Sequence, residues 1–420
     1  MQFIFWVSVG LIFYAYFGYL IFLLFIYGYQ IVLKNKVNKS KAISTKGVPP
    51  SSTVTKPPVS FIITAYNEEA RIAKKIENSL ELSYHPADQL EIIVASDCSN
   101  DTTDQIVQSY AERGVKLVRS PERKGKEHAQ MHAVRAAAGT ILVFSDVATI
   151  LKADAIERIV KNFDDPSVGC VSSEDRFIDR NGLVSGEGLY VKYEMFIRKL
   201  ESRVNTLVGL SGSFFAARRE VCHNWAPDLQ SDFNTVLNSV KAGFKGITDP
   251  DCIGYYEDIA DESKEFNRKV RTVLRGITVL MRNKHLLDFR KYGMFSWQLL
   301  SHKICRWLVP FFLISSVFSN LIIFSKSYIY VLSFLMQSAI YGAAIFHKIK
   351  LLRKKERDDS ELDVMQKQQH IFVRQLKKIL AQTARISYYF ISVNLSILVA
   401  WIKYLKGERA TYWNPSKRHI

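Results

Sequence analysis

Thr140-Ile141-Leu142-Val143-Phe144-Ser145-Asp146-Val147-Ala148-Thr149 is the stretch on which the fold turns. Its four consecutive apolar residues, Ile141 to Phe144, read as a strand buried on both faces, as in parallel sheets. The carboxylate of Asp146 follows at the carboxyl end, where open α/β sheets bind their ligands. Upstream, residues 59–65, 90–95 and 115–118 have strand character and alternate with helical apolar spacing over 69–82, 101–113 and 126–138. Downstream, 153–163, 190–205, 232–242 and 265–281 are helical in pattern, while 169–172 and 209–217 look extended. Alternation of this kind predicts an α/β fold built on a mainly parallel, doubly wound sheet. Asp146 is then expected beside the other strand-end carboxylate, Asp97.

The ends of the 420-residue chain differ from this middle. Residues 1–33 carry no charged side chain and exceed the roughly 20 residues needed to cross a bilayer. A cleaved signal peptide fits less well, because the run is too long, lacks a basic start and precedes no small-residue cleavage site. Lys34, Lys36, Lys39, Lys41 and Lys46 follow with no acid among them, which assigns that side to the cytoplasm. Residues 34–58 read as a basic, then Pro- and Ser-rich linker. Three further apolar runs, 304–324, 328–346 and 379–402, are long enough to span and form a bundle over 304–402. The aromatic and basic segment 284–303 before them reads as an interfacial helix. The basic loop 348–378 and basic tail 403–420 both favour the cytoplasm, yet counting spans puts one outside unless the last segment, with its Asn394, is re-entrant or lies in the interface.

A formal net charge of +17 could signal nucleic acid. The Lys and Arg residues cluster beside the apolar runs, however, as in a membrane protein, so membrane lipids and no nucleic acid are the expected partners. The five cysteines lie far apart with no Cys-x-x-Cys pair, which fits a reducing compartment.

Residues 59–283 hold the candidate chemistry. Asp97 directly follows a buried strand and has no evident capping role. Two carboxylates at one sheet edge suit a metal or a sugar. A carboxylate also accepts base N–H and ribose hydroxyl groups, whereas a phosphate pocket calls for Gly, Lys or a helix N-terminus. Glu68 and Glu69 read equally as a helix N-terminal charge pair, and Asp101 as an N-cap. Ser211-Gly212-Ser213 either lets backbone approach a ligand closely or marks a strand-end bulge. Ser231 or Asp232 can cap the helix that follows them. Arg268 and Arg271, with Arg275 a turn on, share a helix face suited to a diphosphate or to anionic lipid.

Taken in order, Thr64-Ala65-Tyr66-Asn67-Glu68-Glu69, Ser96-Asp97-Cys98-Ser99-Asn100-Asp101, Arg123-Lys124-Gly125-Lys126, Phe144-Ser145-Asp146, Ser211-Gly212-Ser213, Ser231-Asp232-Phe233 and Arg268-Lys269-Val270-Arg271 resemble the motifs of membrane-bound family 2 glycosyltransferases. These include bacterial synthases of cellulose, hyaluronan and other exopolysaccharides. The resemblance implies a cytosolic GT-A-type domain over 59–283. It further implies an inverting hexosyl- or N-acetylhexosaminyl-transferase at a multi-pass cell membrane position. Such an enzyme would move a sugar from a nucleoside diphosphate, UDP above all, to a glycan or lipid-linked acceptor. By that resemblance Ala65, Tyr66, Glu68 and Asp97 hold the nucleoside and Lys126 assists with phosphate. Asp146 holds Mg²⁺ or Mn²⁺, Ser211, Gly212 and Ser213 face the acceptor, Asp232 is the catalytic base, and Arg268 and Arg271 neutralise the leaving diphosphate.

The chain departs from the family pattern in three places. Ala148 stands where the second acid of Asp-x-Asp is expected, and Ser231 where an acid usually precedes the base. Arg268 and Thr272 replace the Gln and Trp of the processive Gln-x-x-Arg-Trp motif, which argues for short or single transfer, whereas several spans argue for polymer export. Ala148 and Ser231 also keep open a non-catalytic membrane scaffold or regulator on the same fold. A dinucleotide-dependent oxidoreductase is disfavoured, since no Gly-x-Gly-x-x-Gly follows a strand.

Overall fold

The computed structural model describes residues 1–41, 56–178, 189–257, 262–356 and 371–410. Much of the linker, the middle of the basic loop and most of the tail therefore lie outside the described residues. The chain divides into two compact units. One comprises Met1–Gly18, Ser263–Leu274 and Ile304–Glu408, the other chiefly Tyr19–Glu262 and Arg275–Lys303.

Two helices, α1 (Gln2–Phe13) and α2 (Tyr19–Lys41), come first, joined through a π-helical turn at Tyr14–Gly18. The α/β part follows as β1 (Val59–Ala65), α3 (Ile72–Leu80), β2 (Leu90–Ser96), α4 (Thr103–Gln108), β3 (Val115–Arg119), α5 (Lys126–Ala136), β4 (Ile141–Asp146), β5 (Ile150–Leu151) and α6 (Ala155–Lys161). It continues with β6 (Val168–Ile178), α7 (Leu189–Val204), β7 (Phe214–Arg218), α8 (Arg219–Cys222), α9 (Ser231–Lys241), β8 (Lys245–Glu257) and α10 (Glu262–Arg282).

The eight strands among the described residues form one sheet in the order β3-β2-β1-β4-β7-β6-β8-β5. The half from β3 to β4 is parallel, as expected of the doubly wound pattern. Beyond it β7 runs antiparallel to both β4 and β6, so the sheet is mixed. Every residue of β1 is buried, because this central strand is flanked by neighbours and covered on both faces. Phe61, Ile63, Val94, Val143 and Phe214 pack with α3 and α6 through Ile72, Ile76, Ile156 and Ile159. At 25 cal/mol per Å² of apolar surface, burial of such side chains is the main stabilising contribution.

Two differences from the sequence reading have local causes. The strand expected at 169–172 runs on as β6 to Ile178, and its partner β8 has no clear apolar alternation because Gly246, Asp249, Pro250 and Asp251 interrupt it. The β6–β8 register shifts twice, between Val168/Cys170 and Ser172/Glu174. Of the extended stretch 209–217, only Phe214 onward joins the sheet; residues before it are held as a loop by Ser211 N donating to Ser172 Oγ (2.8 Å).

Gly139 leads into β4 where two backbones nearly touch. A Cβ there would lie 2.4 Å from Ser60 N and 2.6 Å from Val59 C. Neither atom can yield without moving β1, so Gly139→Ala is expected to cost about 2–4 kcal/mol, read as a lowered midpoint in thermal unfolding.

Among the described residues, four helical stretches are long and apolar enough to cross a membrane: Gln2–Asn35, Met294–Lys326, Tyr328–Leu351 and Ile379–Leu405. After a short helix α11 (Phe289–Tyr292), α12 (Met294–Leu299) passes through a π turn at Leu300–Ile304 into α13 (Cys305–Ile323). The second span thus begins within the segment read as interfacial. It is followed by α14 (Tyr328–Glu356) and α15 (Ile371–Leu405). Asn394, the polar mark of the last stretch, is buried, donating from Nδ2 to Tyr16 Oη (3.2 Å) and Phe390 O (2.9 Å). Trp401 Nε1 donates to Trp307 O at 2.9 Å. Such bonds satisfy polar groups where lipid offers no partner.

Candidate active site

The carboxyl edge of the parallel half carries the candidate site. Asp97 and Asp146 follow β2 and β4, which flank β1 on opposite sides, so two strand spacings of about 4.8 Å each separate their backbones. They share an edge without being direct neighbours. Because β7 is antiparallel, the loop feeding it arrives at this same edge: Ser145 pairs with Phe214, and Asp146 N donates to Ser213 O at 3.0 Å. That reversal brings Ser211-Gly212-Ser213 beside Asp146.

Lys126 joins these pieces. Its ammonium forms an ion pair with Asp146 and donates to Gly212 O at 2.9 Å. Burial opposes its charge, but Asp146 and the neighbouring acids Glu127 and Asp232 raise its pKa above the ordinary lysine value. It stays an ammonium.

Asp232, in the first turn of α9, lies on the other side of Gly212; a Cβ on that glycine would sit 3.0 Å from Asp232 Oδ2. Gln230 Nε2 donates to Oδ2 (3.1 Å) and Phe233 N to Oδ1 (2.9 Å). Burial pushes this carboxyl upward, against the pull of Lys126 and Arg275. A buried carboxylate with a raised pKa is a better proton acceptor than one in water.

Asp97 is fully buried. Its Oδ1 accepts from Lys124 N and Gly125 N (both 3.1 Å), and its Oδ2 from Gly125 N (2.9 Å). Burial raises its pKa and these backbone donors lower it. The aspartate anchors the turn that starts α5, and Gly125 completes that turn at φ +104°, a region closed to most side chains. Through this turn Asp97 sets where Lys126 begins.

The other sequence candidates divide clearly. Ala65 is the buried last residue of β1, and its carbonyl accepts from Asp97 N (2.9 Å). Tyr66 is stacked by the Arg123 guanidinium, 3.9 Å from its ring centroid. Glu68 is built into the start of α3: its amide donates to Thr103 Oγ1 (2.8 Å) and its carbonyl accepts from Arg71 and Ile72. Asp101 Oδ1 accepts from Thr103 N (3.0 Å) at the opening of α4. Asn67 and Asn100 exchange hydrogen bonds of 2.6 and 3.0 Å, and positive φ at Asn67 (50°) and Cys98 (57°) marks constrained backbone in both strand-end loops. Arg268 and Arg271 stand on the part of α10 that belongs to the other unit. There Arg268 forms two bonds with Glu265, at 2.7 and 2.9 Å.

Three groups were not foreseen from sequence. Asp175, on the extension of β6, accepts from the Ser211 hydroxyl (2.6 and 2.7 Å) and the Ser213 hydroxyl (2.5 Å), fixing the loop beside Asp146. Glu127 pairs with Arg275, which turns that arginine toward the α5 terminus. Lys75 is fully buried behind the end of β4, donating to Ser145 Oγ (2.9 Å) and Thr149 O (2.6 Å). Its spacing was legible: Ile72, Lys75, Ile76 and Ser79 form the buried stripe of α3, with a lysine on the apolar face.

Burial lowers the Lys75 pKa to about 7, with Asp146 opposing. The unfolded chain, with a lysine pKa of 10.5, therefore binds more protons than the folded one between about pH 7 and 10.5. Stability is expected to rise with pH across that window and to level off above it. Lys75→Met should flatten the rise in denaturant melts taken between pH 7 and 10.

A divalent ion at this site has one motif carboxylate, Asp146, on its partly exposed mouth. No group of three His, Cys, Asp or Glu side chains among the described residues could form a cage. The donor set fits an ion that uses one carboxylate and leaves its other positions to ligand oxygens and water, as Mg²⁺ can.

A mixed sheet of this order, with strand-end acids, a loop and a helix terminus along one edge, is the GT-A fold. A mannosyltransferase from Pyrobaculum calidifontis, solved in complex with GDP-Man and Mn²⁺, has the same fold: TM-score 0.60 at 21% identity, over 95% of this chain and 99% of that one. Residues 60–225 match the family description Glycosyl transferase family 2. The poly-beta-1,6-N-acetyl-D-glucosamine synthase of Staphylococcus aureus is 27% identical over 160 residues, 36% of this chain and 38% of the synthase. Glycosyltransferase AglD of Haloferax volcanii is 31% identical over 144 residues, 32% of this chain and 23% of that protein. The matched region thus spans well under half the length of these curated relatives.

Proposed function

We propose that the protein is an inverting glycosyltransferase working at the cytoplasmic face of a cell membrane. It transfers a hexosyl or N-acetylhexosaminyl group from a nucleoside diphosphate sugar, a UDP-sugar, to a glycan or lipid-linked hydroxyl during polysaccharide biosynthesis. The observation that carries this reading is Asp146 and Asp232 converging on Gly212, the first through Lys126 and the second directly. A donor diphosphate would meet the cationic side of that group, and an acceptor hydroxyl its basic side. The nucleoside would lie along Ala65, Tyr66, Glu68 and Asp97, over the two constrained loops.

In the transfer, Asp232 accepts the proton of the acceptor hydroxyl as that oxygen attacks the anomeric carbon from the face opposite the diphosphate. The bond from the anomeric carbon to phosphate oxygen breaks, its electron pair leaves with UDP, and the proton passes from Asp232 to water. Lys126 stabilises negative charge developing on the diphosphate, and Arg268 and Arg271 are candidates for the same work. Mg²⁺ or Mn²⁺ held by Asp146 would add positive charge against that leaving group. Ser211, Gly212 and Ser213, braced by Asp175, would line the acceptor side.

The reading is tested by supplying membranes or detergent-purified protein with a panel of labelled UDP- and GDP-sugars. Transfer to glycan or lipid is expected; its absence with every donor would favour the non-catalytic scaffold suggested by Ala148 and Ser231. Product length separates the two modes of synthesis, since a single added residue rules out polymerisation.

A further inference from the structure

Lys126 occupies the place where an ion bound by Asp146 would carry its charge, and this has consequences for how the site loads. The residue is 8% exposed and its ammonium has two partners, the Asp146 carboxylate and Gly212 O at 2.9 Å. Its backbone cannot retreat. Asp97 grips the amides of Lys124 and Gly125, and α5 begins at Lys126 itself. A second lysine, Lys75, lies buried behind the β4 end, bonded to Ser145 and Thr149. Position 148, two residues past Asp146, is alanine. One carboxylate therefore faces a fixed cation, where a cation cage would instead gather acids.

We propose that Lys126 is a tethered counter-ion that competes with the divalent ion for Asp146, and that the donor's diphosphate relieves the competition by accepting the lysine. The inference rests on the transferase reading of this site. The physical basis is like-charge repulsion: an ammonium and a divalent ion that both contact a single carboxylate repel each other. Lys126 has a four-carbon stem, so its head can swing from Asp146 to a nearby phosphate oxygen while its backbone stays fixed. The ion takes the vacated carboxylate, and anionic phosphate neutralises both cations. Metal and nucleotide then bind with positive coupling, each tightening the other by the same factor. With the nucleotide absent, the lysine keeps the site closed to metal and Asp146 paired.

The test measures Mn²⁺ binding to the purified full chain from the electron paramagnetic resonance signal of free Mn²⁺, with and without UDP. In the native protein, Mn²⁺ affinity is expected to be weak alone and at least tenfold tighter with saturating UDP. Lys126→Gln should bind Mn²⁺ about tenfold tighter than native without nucleotide and should lose most of the UDP effect. Lys126→Arg, which keeps the cation, should stay weak without UDP. Asp146→Ala should remove the site in every background, and thermal melts establish that each variant is folded.

Equal Mn²⁺ affinity in the native protein and Lys126→Gln, retention of the site in Asp146→Ala, or no Mn²⁺ binding in any variant would each overturn the proposal. The transferase reading fails by a different result. If no nucleotide binds and no sugar is transferred at any metal concentration, the function itself is wrong, whereas transfer that persists in excess chelator removes only the competition between Lys126 and metal.

Discussion

Asp232→Asn is expected to abolish sugar transfer while leaving the protein folded and able to bind donor. The substitution keeps the side chain's shape and its acceptor oxygen for Phe233 N, yet removes the function proposed for the carboxylate, taking a proton. General base catalysis is worth about 10²–10⁴-fold, so kcat should fall by about three orders of magnitude with little change in the apparent donor affinity. The pH profile carries the same claim. Asp232 must be ionised to act, and burial lifts its pKa. The rate is therefore expected to fall as pH drops through a value above the ordinary aspartate pKa of about 3.9. Single-turnover rates across pH measure it, and an unchanged rate in the variant would remove Asp232 from the chemistry.

The second large effect is expected at Asp146. Asp146→Ala deletes the carboxylate partner of Lys126 and the single motif ligand for a divalent ion, so transfer should fall at least 100-fold. Stability should fall too. Removing one member of a buried pair leaves the other charge uncompensated, at 3–5 kcal/mol in the fully buried case; the carboxylate here is 30% exposed, which reduces the expected loss to about 1–3 kcal/mol. The double variant Asp146→Ala with Lys126→Met should recover most of that stability but none of the activity, because the pair is lost as a unit. If the double variant is as unstable as the sum of the single ones, the two side chains do not interact in solution.

Much of this arrangement was legible in the sequence, for identifiable reasons. The buried strands β1, β2 and β4 advertise themselves as unbroken apolar runs, and the acids that follow them stand out against that background. Asp146, Gly212 and Asp232 were singled out by residue type and order, and the fold does bring them together. Pairing was harder to read. Nothing local in Phe214–Arg218 tells that β7 runs antiparallel to β4, and that direction alone carries Ser211 to Ser213 to the strand ends. Asp175 was hidden because β6 continues through polar Ser172, Ser173 and Glu174, whose pattern does not advertise a strand. The resemblance makes Lys126 a phosphate contact; its pairing with Asp146 depends on a turn fixed by Asp97, a tertiary contact spanning 28 positions. The alanine at 148, by contrast, was visible from the start, and the lysine explains what balances Asp146 in its place.

The central claim is that one sugar donor is shared by Asp146 and Asp232. A structure of the Asp232→Asn protein with intact UDP-sugar and Mn²⁺ tests it most directly. The account predicts the diphosphate against Lys126 and Asp146, with the anomeric carbon open toward position 232 and Gly212. A donor bound elsewhere, or one whose anomeric carbon faces away from position 232, would contradict it.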